Sequence, residues 1–314
     1  MNCLCCGKPL KETNIGNWHS SCIKKFFSTS KLPEIDVTEE FIRELANESV
    51  NKGLTVTGVQ KKLSLHLTKE SSPRLTLVNY PTGYIFKPQL PEYTALPQAE
   101  YLVMQMAQAV KINTVPFALI ECGTGPAYIT KRIDRQFKRN DIIKFAMEDF
   151  CQLGERLTED KYNSSYEQCA KIIRQFSFRS GIDLAEFFLR LVFCFAVGNS
   201  DMHLKNFSLI ESFPESGKYV LSPAYDLLPV NVIMPSDKDE TALTLCGKRS
   251  NIDRKDFLRF AEEISIESKA AENIIDSVVS KEGKFVAMVS DSYLPEEMKD
   301  KMISLINHRI MRLK

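Results

Sequence analysis

The stretch GNSDMHLKNFSL, residues 198–209, follows an apolar run, FFLRLVFCFAV (Phe187–Val197), and precedes a short β-like segment. Its polar residues are therefore expected on a loop braced by two core elements, the apolar run forming a buried helix. Asp201 and Asn206 stand in a D-x-x-x-x-N arrangement with Lys205 between them. That spacing suits a phosphoryl-transfer loop in which the Asp takes the proton of the attacking hydroxyl and the Asn holds a metal ion.

Further along, Asp226 in SPAYDLLP follows a second β-like segment, Lys218–Leu221, and is expected as the second metal ligand. Magnesium prefers hard oxygen donors and keeps several waters, so one Asn, one Asp and nucleotide phosphates suffice. Upstream, Lys87 ends the strand-like YIFK, and Glu100 lies on the helix that follows, LPQAEYLVMQMAQAVK (Leu96–Lys111). A strand lysine paired to a helix glutamate is a way to hold an ammonium on the α and β phosphates of ATP. Gly58 in TVTGVQKKLSL, with Val59 and Gln60 beside it, separates two strand candidates and lets the backbone approach phosphate. Each piece alone is commonplace: a loop Asp–Asn pair, a strand-end lysine, a turn glycine. Their order along the chain makes the case.

The rest of the chain suits an α+β enzyme of two lobes. Between Gly53 and Lys87, short runs (KLSLHL, RLTLV, YIFK) alternate with Gly, Pro and Ser, the mark of an antiparallel sheet. Val115–Cys122 and Ala127–Lys131 add two strands. Helical periodicity is expected over Val37–Asn51, Met147–Leu153, Ser165–Phe176, Asp183–Gly198, Asp253–Ser265, Ser268–Lys281 and Pro295–Leu313. Residues 37–144 thus read as a β-rich lobe and 145–314 as a mostly helical one. Lys31–Asp36 (KLPEID) reads as a linker behind a Cys-rich opening, residues 1–30. The cluster Lys131, Arg132, Asp134, Arg135, Lys138 and Arg139 reads as a solvated face or a surface for an acidic partner.

In that opening, Cys3 and Cys6 form C-x-x-C, and His19 with Cys22 form H-x-x-C. Two close pairs of soft ligands match a closed tetrahedral zinc site. The alternative is a metal-free tail in which Cys5 packs and the other thiols are solvated. The remaining five of the nine cysteines are scattered through apolar segments, as reduced thiols behaving as small hydrophobes.

Composition excludes several other classes. Lys and Arg number 41 against 40 Asp and Glu, leaving no electrostatic footprint for direct binding to duplex DNA or an anionic membrane. The longest apolar run is too short to span a bilayer and contains Arg190. The N-terminus shows no export signal, so a cytoplasmic location is expected.

With these residues in hand, the sequence resembles the HipA family of toxin kinases. The matching stretches are TGVQKKLSL, YIFKPQLP, LPQAEYLVMQMAQAV, YITKRIDR, MEDFCQLG, FAVGNSDMHLKNFSL and LSPAYDLLP. The resemblance implies a kinase-like fold in which Asp201 is the base, Asn206 and Asp226 hold Mg²⁺, and Lys87 contacts the phosphates of ATP. It also implies that the backbone of Lys131–Ile133 meets the adenine, and that His203 and Lys205 line the catalytic loop. The family's substrates are aminoacyl-tRNA synthetases, phosphorylated on serine, which arrests translation and growth. Family members also phosphorylate a residue just before the glycine loop, here Thr55 or Thr57, where serine is usual. An N-terminal subdomain present in full-length relatives has no counterpart here, so the chain is similar to the short HipT-type toxins. That form implies a small HipS-like partner and a DNA-binding HipB-like antitoxin, with DNA contacted only through them. Two other readings keep the same loops: a small-molecule kinase, and a non-catalytic nucleotide-binding scaffold.

Overall fold

The computed structural model describes residues 2–11, 16–36, 62–68, 72–77, 83–123, 125–138 and 141–314. The helix expected over Val37–Asn51 lies outside the described residues. The chain forms two compact units, Met1–Tyr101 with Val115–Ile142, and Leu102–Thr114 with Ile143–Lys314.

The first unit is built on a six-stranded sheet of β1 (Glu34–Asp36), β2 (Leu63–Thr68), β3 (Arg74–Leu77), β4 (Tyr84–Lys87), β5 (Phe117–Cys122) and β6 (Gly125–Lys131). Their spatial order is β1-β3-β2-β4-β6-β5. All neighbours run antiparallel except β1 and β3. Alternation decides which side chains go inside: Leu63 and Leu65 of β2 are buried, as are Tyr84 and Phe86 of β4. Strand β4 is central, pairing Leu63↔Phe86 on one side and Lys87↔Tyr128 on the other. Helix α1 (Ser20–Phe27) belongs to this unit, as does the start of α2 (Leu96–Ala109) as far as Tyr101, the rest of α2 falling in the second.

Glu34–Asp36 is not a linker: it adds a parallel edge strand, with Glu34 opposite Arg74 and its amide bonded to the Pro73 carbonyl at 3.1 Å. A three-residue edge strand with one apolar position carries no period for a sequence pattern to reveal.

The second unit is mostly helical: α3 (Tyr166–Phe176), α4 (Ser180–Val197), α5 (Arg254–Glu263), α6 (Ser268–Val279), α7 (Glu282–Ser290) and α8 (Glu296–Leu313). Ser165 and Asp253 cap α3 and α5 by accepting from backbone amides of the first turn. From Phe187 to Val197 helix α4 is apolar but for Arg190, and almost all of that stretch is buried. Its Phe187 meets Phe207 and Phe260, and its Phe188 stacks on Phe260. The Arg190 guanidinium is buried within it, held by the Ser222 carbonyl at 2.6 Å and by Glu186 at 3.2 Å. Among the described residues, no helix is long and apolar enough to cross a membrane.

A small sheet, β11 (Tyr219–Leu221), β10 (Ser208–Glu211) and β9 (Met147–Asp149), lies in this unit. Between β6 and β9 in the sequence, Arg135–Lys138 and Asp141–Lys144 pair as a two-stranded ribbon, β7 and β8. Met147–Leu153, expected as one helix, is instead strand β9 followed by a single turn, Phe150–Leu153. Asp149 starts that turn through a reciprocal capping box with Gln152, and Ser208 of β10 pairs with it in the sheet. Buried Asp183 ties α4 to the small sheet, accepting from the Leu221 amide at 2.7 Å and the Ser177 hydroxyl at 2.6 Å.

Candidate active site

Helix α4 ends at Gly198, whose left-handed φ of +73° suits glycine and where a Cβ would press on the Leu305 methyls at 2.9 Å. The loop that follows folds tightly on itself. The Asn206 Nδ2 donates to the Asp201 carbonyl at 2.7 Å, and the His203 amide donates to the same carbonyl at 2.9 Å. The Asn206 amide returns to the His203 carbonyl at 2.9 Å, giving a 3-10 turn over Leu204–Asn206. Both ends of the D-x-x-x-x-N arrangement are thereby locked together. Asp201 is 7% exposed and Asn206 4% exposed, so water screens little of their interaction with a ligand.

The Asp201 carboxylate is aimed by a residue the sequence reading missed: Tyr162 donates its hydroxyl to Oδ1 at 2.7 Å. The Tyr162 ring also meets His203 edge-on, with centroids 5.1 Å apart. Lys205 reaches Asp149, Nζ to Oδ2 at 2.6 Å, and Asp149 was likewise missed. Its only sequence signal is the stretch MEDFCQLG.

Asp226, 8% exposed, sits in the left-handed region at φ +57°, a costly conformation for a residue with a side chain. Its neighbour Tyr225 is fastened to the Ser208 hydroxyl at 2.6 Å and donates to the Lys205 carbonyl at 3.3 Å. Burial pushes the Tyr225 phenol well up, so it serves as a hydrogen-bonding post. The Asp226 backbone thus hangs from the segment that carries Lys205, Asn206 and Ser208. Asp201, Lys205, Asn206, His203 and Asp226 all belong to the second unit.

In the first unit, Lys87 and Glu100 form an ion pair at 2.5 Å, with the side chains 1% and 0% exposed. The Lys87 ammonium also lies 5.1 Å from the centre of the Tyr128 ring. A buried ammonium is tolerated because its counter-charge is in place. The Lys131 amide donates to the Pro116 carbonyl at 2.9 Å and the Arg132 amide to the Gly83 carbonyl at 2.9 Å. In the basic cluster after them, Arg132, Asp134 and Arg135 are half-buried, while the Lys138 side chain and Arg139 lie outside the described residues. Arg132 holds Asp134 through two hydrogen bonds, at 2.9 and 2.7 Å, and Arg135 adds a third at 3.3 Å. Burial works to raise the Asp134 carboxyl, but these guanidinium contacts prevail and hold it below the usual range.

Cys3, Cys6, His19 and Cys22 come together, their ligand atoms all within 4.8 Å of one another. Thr55, Thr57, Gly58, Val59 and Gln60 lie outside the described residues.

The two units together make a mixed fold, a sheet-rich part and a helical C-terminal part, of the kind seen in HipA and CtkA. The match to HipA, from the Shewanella oneidensis MR-1 complex of HipA, HipB and operator DNA, has a TM-score of 0.70 at 17% identity, covering 83% of this chain and 65% of that one. The match to the Helicobacter pylori proinflammatory kinase CtkA has a TM-score of 0.53 at 15% identity, covering 76% and 90%. Residues 54–284 match the HipA-like C-terminal domain, and the chain belongs to that family. A Haemophilus influenzae protein named "Putative kinase" is 25% identical over 98% of this chain and 95% of its own length. "Putative kinase Y4mE" of Sinorhizobium fredii is 26% identical over 77% of this chain, which spans 59% of that protein.

Proposed function

We propose that the protein is an ATP- and Mg²⁺-dependent serine/threonine kinase, and specifically a HipA-type toxin that phosphorylates a protein hydroxyl. The observation that carries this reading is the Asp201–Asn206 lock. The Asn206 Nδ2 is committed to the Asp201 carbonyl, which presents Oδ1 as the ligand atom of the amide. Two buried oxygen donors, Asn206 Oδ1 and the Asp226 carboxylate, are the hard ligands that Mg²⁺ prefers. When bound, the metal neutralises charge on the β and γ phosphates.

The residues of the chain then divide the work. Asp201 accepts the proton of the attacking hydroxyl, held in its orientation by Tyr162. Lys205 and His203 line the loop. Lys87, aimed by Glu100, contacts the α and β phosphates. The backbone of Lys131–Ile133 meets the adenine through groups other than the Lys131 and Arg132 amides, which donate to the Pro116 and Gly83 carbonyls. Gly58, Val59 and Gln60 cover the phosphates, and Thr55 or Thr57 accepts a phosphate in a self-silencing reaction.

The resemblance of the sequence to the HipA family implies an aminoacyl-tRNA synthetase as substrate, and the HipA–HipB–operator complex supports a HipB-like antitoxin as partner. A HipS-like small partner and a cytoplasmic location belong to the same reading. The test is incubation with γ-labelled ATP and Mg²⁺, with and without cell extract, beside Asp201→Asn. Label on a synthetase-sized band that the variant fails to produce is the expected result. Label confined to small molecules points to a metabolite acceptor, and no label with intact nucleotide binding points to a scaffold; either overturns the proposal.

A further inference from the structure

The four soft ligands of the first unit meet at distances that a metal explains. The Cys6 Sγ is 3.4 Å from His19 Nδ1, and the Cys22 Sγ is 3.9 Å from the same nitrogen. Sulfur and nitrogen bound to zinc at about 2.3 and 2.0 Å in a tetrahedron lie about 3.5 Å apart. The spacing therefore fits a closed ligand set.

The surroundings fit as well. His19 Nε2 lies 3.1 Å from the Pro9 carbonyl, a hydrogen bond that puts the ring proton on Nε2 and turns Nδ1 toward the thiols. The His19 amide donates to Cys3 Sγ at 3.4 Å, which fixes that sulfur beside the imidazole. Cys3 and Cys6 sit on one tight turn: the Gly7 amide bonds the Cys3 carbonyl at 2.8 Å, and Gly7 takes a φ of +69° that glycine adopts without strain. Cys5, on the same turn, is outside the four-ligand set, and all nine cysteines are thiols.

What this cluster fastens gives it a purpose. The Leu119 amide of β5 donates to the Leu4 carbonyl at 2.8 Å, and the Tyr101 hydroxyl of α2 donates to the Cys3 carbonyl at 3.3 Å. Tyr101 follows Glu100 directly. Helix α1, which starts after His19 and carries Cys22, packs Phe26 and Phe27 on Tyr84, with ring centres 5.9 and 5.5 Å apart. The Tyr84 hydroxyl donates to the Phe26 carbonyl at 3.2 Å, and Tyr84 opens the strand that ends at Lys87.

We propose that Cys3, Cys6, His19 and Cys22 bind one zinc ion, and that the metal clasps the N-terminal segment onto the strand of Lys87 and the helix of Glu100. Loss of zinc then weakens nucleotide binding, a consequence that rests on the phosphate contact proposed above for Lys87.

The chain supplies its own reporter: Trp18, its single tryptophan, is fully buried beside ligand His19 and packs on Phe26 and Phe27. Full-length protein is assayed for metal by mass spectrometry, as wild type and as Cys5→Ser, Cys6→Ser and Cys22→Ser. Wild type is stripped with a mercurial thiol reagent, then treated with dithiothreitol and ZnCl₂. One zinc per chain in wild type and Cys5→Ser, and loss in the other two variants, is expected. Stripping shifts Trp18 emission to the red and weakens binding of an ATP analogue several-fold, and zinc reverses both. No zinc in wild type after loading, equal loss in Cys5→Ser, or Trp18 emission indifferent to zinc overturns the site. Unchanged nucleotide affinity after stripping overturns the clasp. If zinc and Trp18 respond as expected but the loaded protein binds no nucleotide, the zinc site stands and the role given to Lys87 falls.

Discussion

The Tyr162 hydroxyl donates to Oδ1 of Asp201 at 2.7 Å, so the orientation of the proposed base is set by a residue outside its own loop. Hydrogen bonds to charged groups contribute about 1.5–3 kcal/mol. Under the proposed mechanism Tyr162→Phe lowers kcat roughly ten- to hundredfold while ATP affinity is unchanged, since each 1.4 kcal/mol is about a factor of ten. Steady-state kinetics with varied ATP checks this; a KM effect without a kcat effect places Tyr162 elsewhere.

Lys87 and Glu100 make a pair whose halves are costly alone. Removing one partner of a buried ion pair costs about 3–5 kcal/mol, whereas replacing both with apolar residues is often neutral. Lys87→Met should therefore lower the denaturation midpoint strongly, and Lys87→Met with Glu100→Leu should recover most of it. Neither protein should bind ATP. Denaturant melts beside calorimetric titration separate the two effects, and ATP binding by the double variant sinks the phosphate role of Lys87.

Asp226 pairs a needed carboxylate with an unfavourable backbone. Asp226→Gly relieves a left-handed conformation that costs an L-residue about 1–2 kcal/mol. It is expected to raise the urea midpoint while abolishing transfer, and Asp226→Asn to abolish transfer without that gain. An active Asp226→Gly enzyme would exclude the metal-ligand assignment.

Acid should loosen the second unit through Glu240. Burial works to raise its carboxyl, but the Arg312 hydrogen bond, the Ile252 amide and the Arg309 charge prevail, and it is held below the ordinary glutamate value. A depressed carboxylate contributes stability that is present above the unfolded value and lost as pH falls through the folded one. Thermal melts across the acid range should show wild type losing stability below the usual glutamate range. Glu240→Gln should lack that part of the slope while being less stable at neutral pH. Parallel curves for the two proteins would contradict the assignment.

The loop from Gly198 to Leu209 was legible because its information is local: the apolar helix before it, the strand after it, and a fixed Asp–Asn spacing. Lys87 and Glu100 were legible for the same reason, one at a strand end and one on the next helix. Tyr162 and Asp149 were not, because their contacts with Asp201 and Lys205 span 39 and 56 residues and leave no periodic trace. Helix α7, EGKFVAMVS, was missed between two longer helices, since nine residues give only about two and a half turns of pattern. The ligand set at Cys3, Cys6, His19 and Cys22 was readable as two pairs, but which thiols converge depended on the Gly7 turn excluding Cys5.

The register Lys87↔Tyr128 restricts how this chain can lengthen. Because side chains alternate across a strand, one residue inserted between Tyr84 and Lys87 would carry the ammonium to the opposite face of the sheet, away from Glu100. Two inserted residues would restore the facing while lengthening the strand by a full pleat. Length variation among relatives is therefore expected to come in pairs within β4, and in any number outside it.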